Sequence, residues 1–302
     1  MPTATKTATK LKISEWQSGS AGFFQWITDV QPRIPSEKNS YIPYEVPSER
    51  VRDEITTALD GNYSTVALCW PRRHGKTVVA ALIIAWRFLT RKQQNIAIVA
   101  NSERQSVDTA FKLVRTILEQ TPYTSKLIEN GHIVVTDTRI TYPKLGNTIA
   151  GFPANASVLY GKKLNIAQVS ELHAARSDDV YQALASATID SDDGLVLVDS
   201  TVGARSSPLY GLHQIAERGD DPALFYSWIA YNYVEDAIAR GPHWIGEKRL
   251  RSRHAQMLPA EFAQQHLNQW VAGSNALFTP DLIDRCRESY ALDVNAIAQG
   301  RA

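Results

Sequence analysis

The run Cys69-Trp70-Pro71-Arg72-Arg73-His74-Gly75-Lys76-Thr77 constrains the fold of this chain more than any other stretch. An apolar segment, Ser64-Thr65-Val66-Ala67-Leu68-Cys69, leads into it, and residues 78–86, VVAALIIAW, read as a buried helix behind it. A strand, a turn ending in Gly-Lys-Thr and a helix are the setting of a phosphate-binding P-loop. There, backbone N–H groups and the helix N-terminus surround the phosphates. Lys76 then reaches the β- and γ-phosphates of a nucleotide such as ATP, and the Thr77 hydroxyl ligates Mg²⁺. Pro71, Arg73, His74 and Gly75 complete the cradle. One position departs from G-x-x-x-x-G-K-[ST]: Trp70 stands where the first glycine usually is.

At 302 residues the chain has room for one large α/β domain and a smaller appendage. Its 44% apolar and 21% charged residues fit a globular protein in water. The net charge of +1 means that nucleic-acid binding must use a local patch rather than a global field. Two cysteines, Cys69 and Cys286, exclude a disulfide framework and a cysteine-based zinc site. No apolar run is long enough to span a membrane. Residues 1–12 lack the apolar core of a signal peptide and read as a mildly basic, flexible arm.

From about residue 48, short apolar strands alternate with amphipathic helices, which predicts a mostly parallel sheet covered on both faces. Helices are expected at 49–60, 103–120 (closed by Pro122), 178–188 and 209–218. Strands are expected at 94–100, 164–169, 194–199 and 225–231, with a hairpin from 132–136 and 139–142. After about residue 233 strand signals stop and polar helices follow at 242–256 and 259–271. The expected division is an arm and lead-in at 1–40, an ATPase core at 41–232 and a helical linker at 233–302.

A P-loop enzyme also needs an acid at the end of a neighbouring buried strand to activate water. Ser170-Glu171, after the strand at 164–169, is the candidate pair. Glu171 is read as the water-activating base or, more plainly, as the first residue of a helix. Ser170 stands where a metal-supporting Asp is usual and can hold a metal-bound water but brings no charge. Ser200-Thr201, after the strand at 194–199, is either a strand-end turn or cap, or a sensor that relays loss of the γ-phosphate.

These three elements in this order resemble the ATPase domain of phage terminase large subunits, the motors that pump DNA into procapsids. Pro71-Arg72-Arg73-His74-Gly75-Lys76-Thr77 is similar to that family's P-loop, Ser170-Glu171 stands at its acid pair, and Asp199-Ser200-Thr201-Val202-Gly203 is similar to its coupling motif. Residues 261–270 and 276–280 are similar to the segment leading out of that domain. The resemblance covers roughly residues 40–290. It implies a RecA-like P-loop fold, ATP and Mg²⁺ as cofactors, and Arg72 stabilising charge on the γ-phosphate in cis. It further implies double-stranded DNA, a portal protein and a terminase small subunit as partners, a homo-oligomeric ring, and the host cytoplasm as the place of action. Members usually continue into a nuclease domain, so the chain is expected to be truncated before one, the alternative being a nuclease on another chain.

A ring motor also needs an arginine reaching the neighbouring subunit's ATP, for which Arg139 and Arg205 are the candidates, each otherwise a surface or structural residue. Tyr44, upstream of the P-loop, is the candidate to stack on adenine, or else an ordinary packed tyrosine. Lys248, Arg249, Arg251 and Arg253 form a basic cluster on one expected helix. It is either a DNA-contacting face, whose binding would depend on salt rather than sequence, or a solvated surface. Two other readings compete. Ser170-Glu171-Leu172-His173 resembles a superfamily-2 helicase box with its first letter changed. The missing glycine and missing Asp also fit a nucleotide-binding docking subunit with weak hydrolysis.

Overall fold

A computed structural model describes residues 13–17, 19–36, 39–100 and 110–271. The expected arm at 1–12, the segment at 276–280 and Cys286 lie outside them.

The elements run in the order α1 (Gly19–Val30), β1 (Arg33–Pro35), β2 (Tyr41–Pro43), α2 (Glu49–Asp60), β3 (Thr65–Cys69), α3 (Lys76–Thr90) and β4 (Asn95–Ala100). Next come α4 (Lys112–Gln120), α5 (Pro122–Glu129), β5 (Val134–Val135), β6 (Arg139–Tyr142), β7 (Asn147–Pro153), α6 (Ala156–Leu159) and β8 (Ile166–Ser170). The described chain ends with α7 (Asp179–Thr188), β9 (Leu195–Ser200), α8 (Pro208–Arg218), β10 (Leu224–Trp228), α9 (Val234–Arg240), α10 (Glu247–Gln256) and α11 (Pro259–Gln265).

Among the described residues eight strands form one sheet in the order β10-β3-β9-β8-β4-β7-β6-β5. Pairs from β10 to β7 are parallel, and β7-β6-β5 fold back as an antiparallel edge. Successive side chains of a strand turn to opposite faces. Val66, Leu68 and Trp70 therefore join one core with α1 to α4, while Ala67 and Cys69 join a second core with α7 and α8. Burial on both faces is why β3 and β9 read as near-continuous apolar runs rather than alternating ones, and β8 does so apart from Gln168. The expected α/β fold with a mostly parallel sheet is the one observed.

Four local expectations change. Residues 19–30, placed in the lead-in, form α1, and Trp16, Phe23 and Trp26 are buried in the main core. Pro122 does not simply close α4: it starts α5 from the first helical turn, where its missing N–H costs nothing. β7 joins the parallel part of the sheet to the antiparallel edge, although Asn147, Gly151 and Pro153 weaken its strand signal. Within the expected linker, Val234, Ala237, Leu250, Phe262 and Leu267 belong to the main core, so α9 to α11 pack on the sheet domain.

Candidate functional site

The strand order puts β3, β9 and β8 side by side, so three strand ends meet at one edge of the sheet. In open α/β sheets that carboxyl-end crevice is where ligands bind.

Trp70 extends β3 beyond its last paired residue. Its N–H donates to Ser200 O at 3.1 Å, and its fully buried ring donates from Nε1 to Ser227 Oγ at 2.7 Å. The large ring thus anchors the loop entrance in the core. Arg73 (φ 64°) and Gly75 (φ 82°) then turn the backbone through the left-handed region. Between them His74 is buried, with Nε2 2.9 Å from Tyr231 Oη and Nδ1 3.1 Å from Arg72 O. Burial pushes its imidazole down to about 4, so the ring is neutral near pH 7. The segment after β10 covers the loop: Trp244 Nε1 donates to Arg73 O at 2.8 Å and the Arg72 N–H donates to Gln265 O at 3.1 Å. α3 starts at Lys76 and is buried almost all round, which holds its N-terminus rigidly under the loop.

Lys76 is buried, and its Nζ lies 3.6 Å from Glu171 Oε1. Glu171 directly follows β8, continues the ladder through its N–H to Asp199 O at 2.8 Å, and adopts φ 56°. A non-glycine residue in that region carries about 1–3 kcal/mol of strain, a cost met most often at functional sites. The helix expected after Glu171 is only the short 3₁₀ turn Leu172–Ala174. Burial alone would raise the Glu171 carboxyl, but the hydrogen bond from His173 and the charges of Lys76 and Arg72 outweigh it and hold the group below its usual range. Glu171 is therefore ionised and its side chain is 44% exposed, as a base facing water must be.

Asp199 escaped the sequence reading except as the residue before Ser200. It is fully buried at the end of β9 and is the direct register partner of Ser170. Thr77 Oγ1 donates to its Oδ2 at 2.7 Å, while Ser170 Oγ at 2.7 Å and Gln168 Nε2 at 2.8 Å donate to its Oδ1. Burial pushes the carboxyl up to about 6, against the lowering effect of these three donors. Only knowledge that β9 lies beside β8 could have exposed this pairing.

Ser200 and Thr201 are buried. Ser200 Oγ accepts the His173 N–H at 3.2 Å, donates to Thr201 O at 3.1 Å and lies 3.1 Å from His173 Nδ1. A Cβ on Gly203 would come within 2.8 Å of His173 Cβ, so this close approach requires glycine. Asn268, also buried, joins the surrounding strands: Nδ2 donates to Cys69 O and Ile229 O, and Oδ1 accepts the Val202 N–H.

The remaining predicted residues divide. Arg72 is exposed, and its charge acts on Glu171. Arg205 is exposed, its guanidinium 5.8 Å from the Tyr210 ring centre, on a loop that leaves the same sheet edge. Arg139 begins β6, three strands from β8 across β4 and β7, so it is not brought to this chain's own site. Tyr44 corrects an expectation: its ring is buried in the main core at 6% exposure and offers no free face to a base. Lys248, Arg249, Arg251 and Arg253 are all exposed on α10, but Arg251 is engaged by Glu247 at 2.8 Å and Glu235 at 3.1 Å. Among the described residues no helix is long and apolar enough to cross a membrane.

Comparison with known proteins bears on the fold and the family. No curated protein sequence matches the chain. The fold is similar to that of the HK97 bacteriophage large terminase, with a TM-score of 0.66 at 18% identity, covering 81% of this chain and 54% of that one. The chain thus spans about half the length of that terminase. It is also similar to the ATPase domain of the Thermus phage P74-26 large terminase, with a TM-score of 0.55 at 16% identity, covering 79% of this chain and 99% of that domain. These likenesses establish a terminase ATPase-domain fold. A family model described as the N-terminal part of the T4-like-virus terminase large subunit matches residues 68–285, from within β3 past α11. The chain belongs to that terminase large subunit family.

Proposed function

We propose that the chain is an ATP-hydrolysing motor domain that drives double-stranded DNA into procapsids. The observation that carries the reading is the convergence of Lys76 and Glu171 at 3.6 Å, one at the head of the P-loop helix and one at the end of a neighbouring strand. Lys76 binds the β- and γ-phosphates, with the loop N–H groups of 73–77 around them. The ionised Glu171 orients water and takes up its proton as the γ-phosphoryl group transfers. Arg72, exposed beside Glu171, stabilises charge developing on that group.

Thr77 Oγ1, Ser170 Oγ and the Asp199 carboxylate offer only hard oxygen donors, the chemistry that Mg²⁺ takes. When bound, Mg²⁺ neutralises charge on the β- and γ-phosphate oxygens. Ser200 and Thr201, joined to Glu171 through His173, transmit the loss of the γ-phosphate to the rest of the domain. The portal, the small subunit and a ring of like subunits are the partners of this reading, Arg205 is the arginine offered to a neighbour, and Lys248 and Arg253 are the basic side chains offered to DNA.

Phosphate release from ATP with Mg²⁺ tests the reading, compared between wild type and Lys76→Ala, with and without procapsids and linear DNA. Activity that depends on Lys76 and rises with procapsids supports it. ATP-driven unwinding of a partial duplex would instead make the chain a helicase, and absence of hydrolysis at high protein concentration would make it a docking subunit.

A further inference from the structure

The acid that P-loop enzymes place beside the P-loop hydroxyl is missing from β8, where Ser170 stands. Yet Thr77 does meet a carboxylate. Its Oγ1 donates to Asp199 Oδ2 at 2.7 Å, and Asp199 comes from β9, the strand between β8 and β3. In the parallel register Asp199 is the direct partner of Ser170 and of Leu68, so its side chain leaves the sheet edge one strand nearer the P-loop than Ser170 does.

We infer that Asp199 is the carboxylate that holds Mg²⁺ in this chain, in place of the acid absent from β8. The inference rests on the proposed nucleotide site and names the one charge that site otherwise lacks.

Three features argue for a built site rather than an incidental buried acid. A fully buried carboxylate without a role in charge pairing is costly, and no guanidinium or ammonium is hydrogen-bonded to this one among the described residues. Its three partners are instead neutral donors. Ser170 and Gln168 both donate to Oδ1, which fixes the carboxylate plane and turns Oδ2 toward Thr77. Thr77 is the P-loop hydroxyl that such enzymes use as a metal ligand. Ser170 is then a support: its hydroxyl donates a hydrogen bond to Asp199, and the exchange of Asp for Ser on β8 is matched by Asp on β9. The four side chains Thr77, Gln168, Ser170 and Asp199 form one connected polar group, and changing one member alone leaves another unsatisfied.

The test is calorimetric titration of ADP into the whole chain, once with Mg²⁺ and once with EDTA, together with Mn²⁺ binding followed by electron paramagnetic resonance. Loss of an outer partner alone weakens a metal site about 10-fold or more, so Asp199→Asn is expected to lower Mn²⁺ affinity by at least that factor. It should bring the two ADP affinities, with Mg²⁺ and in EDTA, together. The exchange variant Ser170→Asp/Asp199→Ser returns a carboxylate to β8 and is expected to restore both readouts. Where Asp199→Asn fails to melt cooperatively, the exchange variant decides: restored Mg²⁺ dependence supports the inference, and a folded exchange protein without it overturns it. A folded Asp199→Asn with wild-type Mg²⁺ and Mn²⁺ dependence also overturns it. Wild type that binds ADP equally with and without Mg²⁺ overturns the metal assignment while leaving the nucleotide site intact. Wild type that binds no ADP overturns both.

Discussion

Nδ1 of His173 lies 3.1 Å from Oε2 of Glu171. The same nitrogen lies 3.1 Å from Ser200 Oγ, so one imidazole touches both the proposed base and the strand-end pair read as the coupling element. Its hydrogen bond is the largest influence opposing the effect of burial on the Glu171 carboxyl.

Removing that imidazole has a predictable sign. Without the His173 donor, burial acts less opposed and the Glu171 pKa rises. A base must be ionised to work, so the acid limb of the ATPase pH profile is expected to move to higher pH in His173→Ala. Steady-state hydrolysis measured across pH checks this; a limb that does not move would show that His173 leaves the carboxylate untouched.

Trp70 is the one P-loop position that departs from the usual pattern, and restoring glycine there is expected to harm the protein. The ring is fully buried and hydrogen-bonded to Ser227. Truncating a buried Trp costs about 3–5 kcal/mol, so Trp70→Gly is expected to lower unfolding free energy by at least that much. Urea denaturation reads the loss directly.

Asn268 sits at φ 56°, a conformation that Asn tolerates better than most residues, and its buried amide bonds to three backbone groups on separate segments. In Asn268→Ala the Ile229 carbonyl and the Val202 N–H lose this buried partner, while Cys69 O keeps the Ile229 N–H at 3.1 Å, at a cost of about 1–3 kcal/mol per group left unsatisfied. The midpoint of urea unfolding is expected to fall, with the slope unchanged.

Far from the site, Asp193 holds the buried Arg87 at 2.7 Å and Arg91 at 2.7 Å. Burial would raise its carboxyl, but Arg87, Arg91, Asn165 and Ser191 together hold it down at about 2. A carboxyl lowered on folding contributes stability above its unfolded value of 3.8 and loses it as pH falls toward about 2. Asp193→Asn is therefore expected to unfold more easily at neutral pH, by about 3 kcal/mol because Arg87 is left buried without its charge partner. The difference from wild type should shrink in acid, which thermal melts at pH 7 and pH 2.5 would compare.

The sequence made the P-loop, Glu171 and Ser200-Thr201 legible because each follows a mostly apolar run, a local signal. Asp199 was not legible as a site residue, because its meaning depends on which strand lies beside which. Apolar runs reveal that strands are buried but not their neighbours. Tyr44 misled for the same reason: proximity to the P-loop in sequence says nothing about which way a ring packs. α1 and β7 were obscured by Gly19, Gly22, Gly151 and Pro153, whose weak propensities tertiary packing overrides.

The central claim is that Glu171 performs chemistry rather than binding. Single-turnover hydrolysis of ATP by Glu171→Gln, with ATP affinity measured on the same protein, tests it most directly. The account predicts wild-type affinity and hydrolysis slowed by about 100-fold or more, the scale of a lost general base. A Glu171→Gln protein that binds and hydrolyses ATP at the wild-type rate would contradict it.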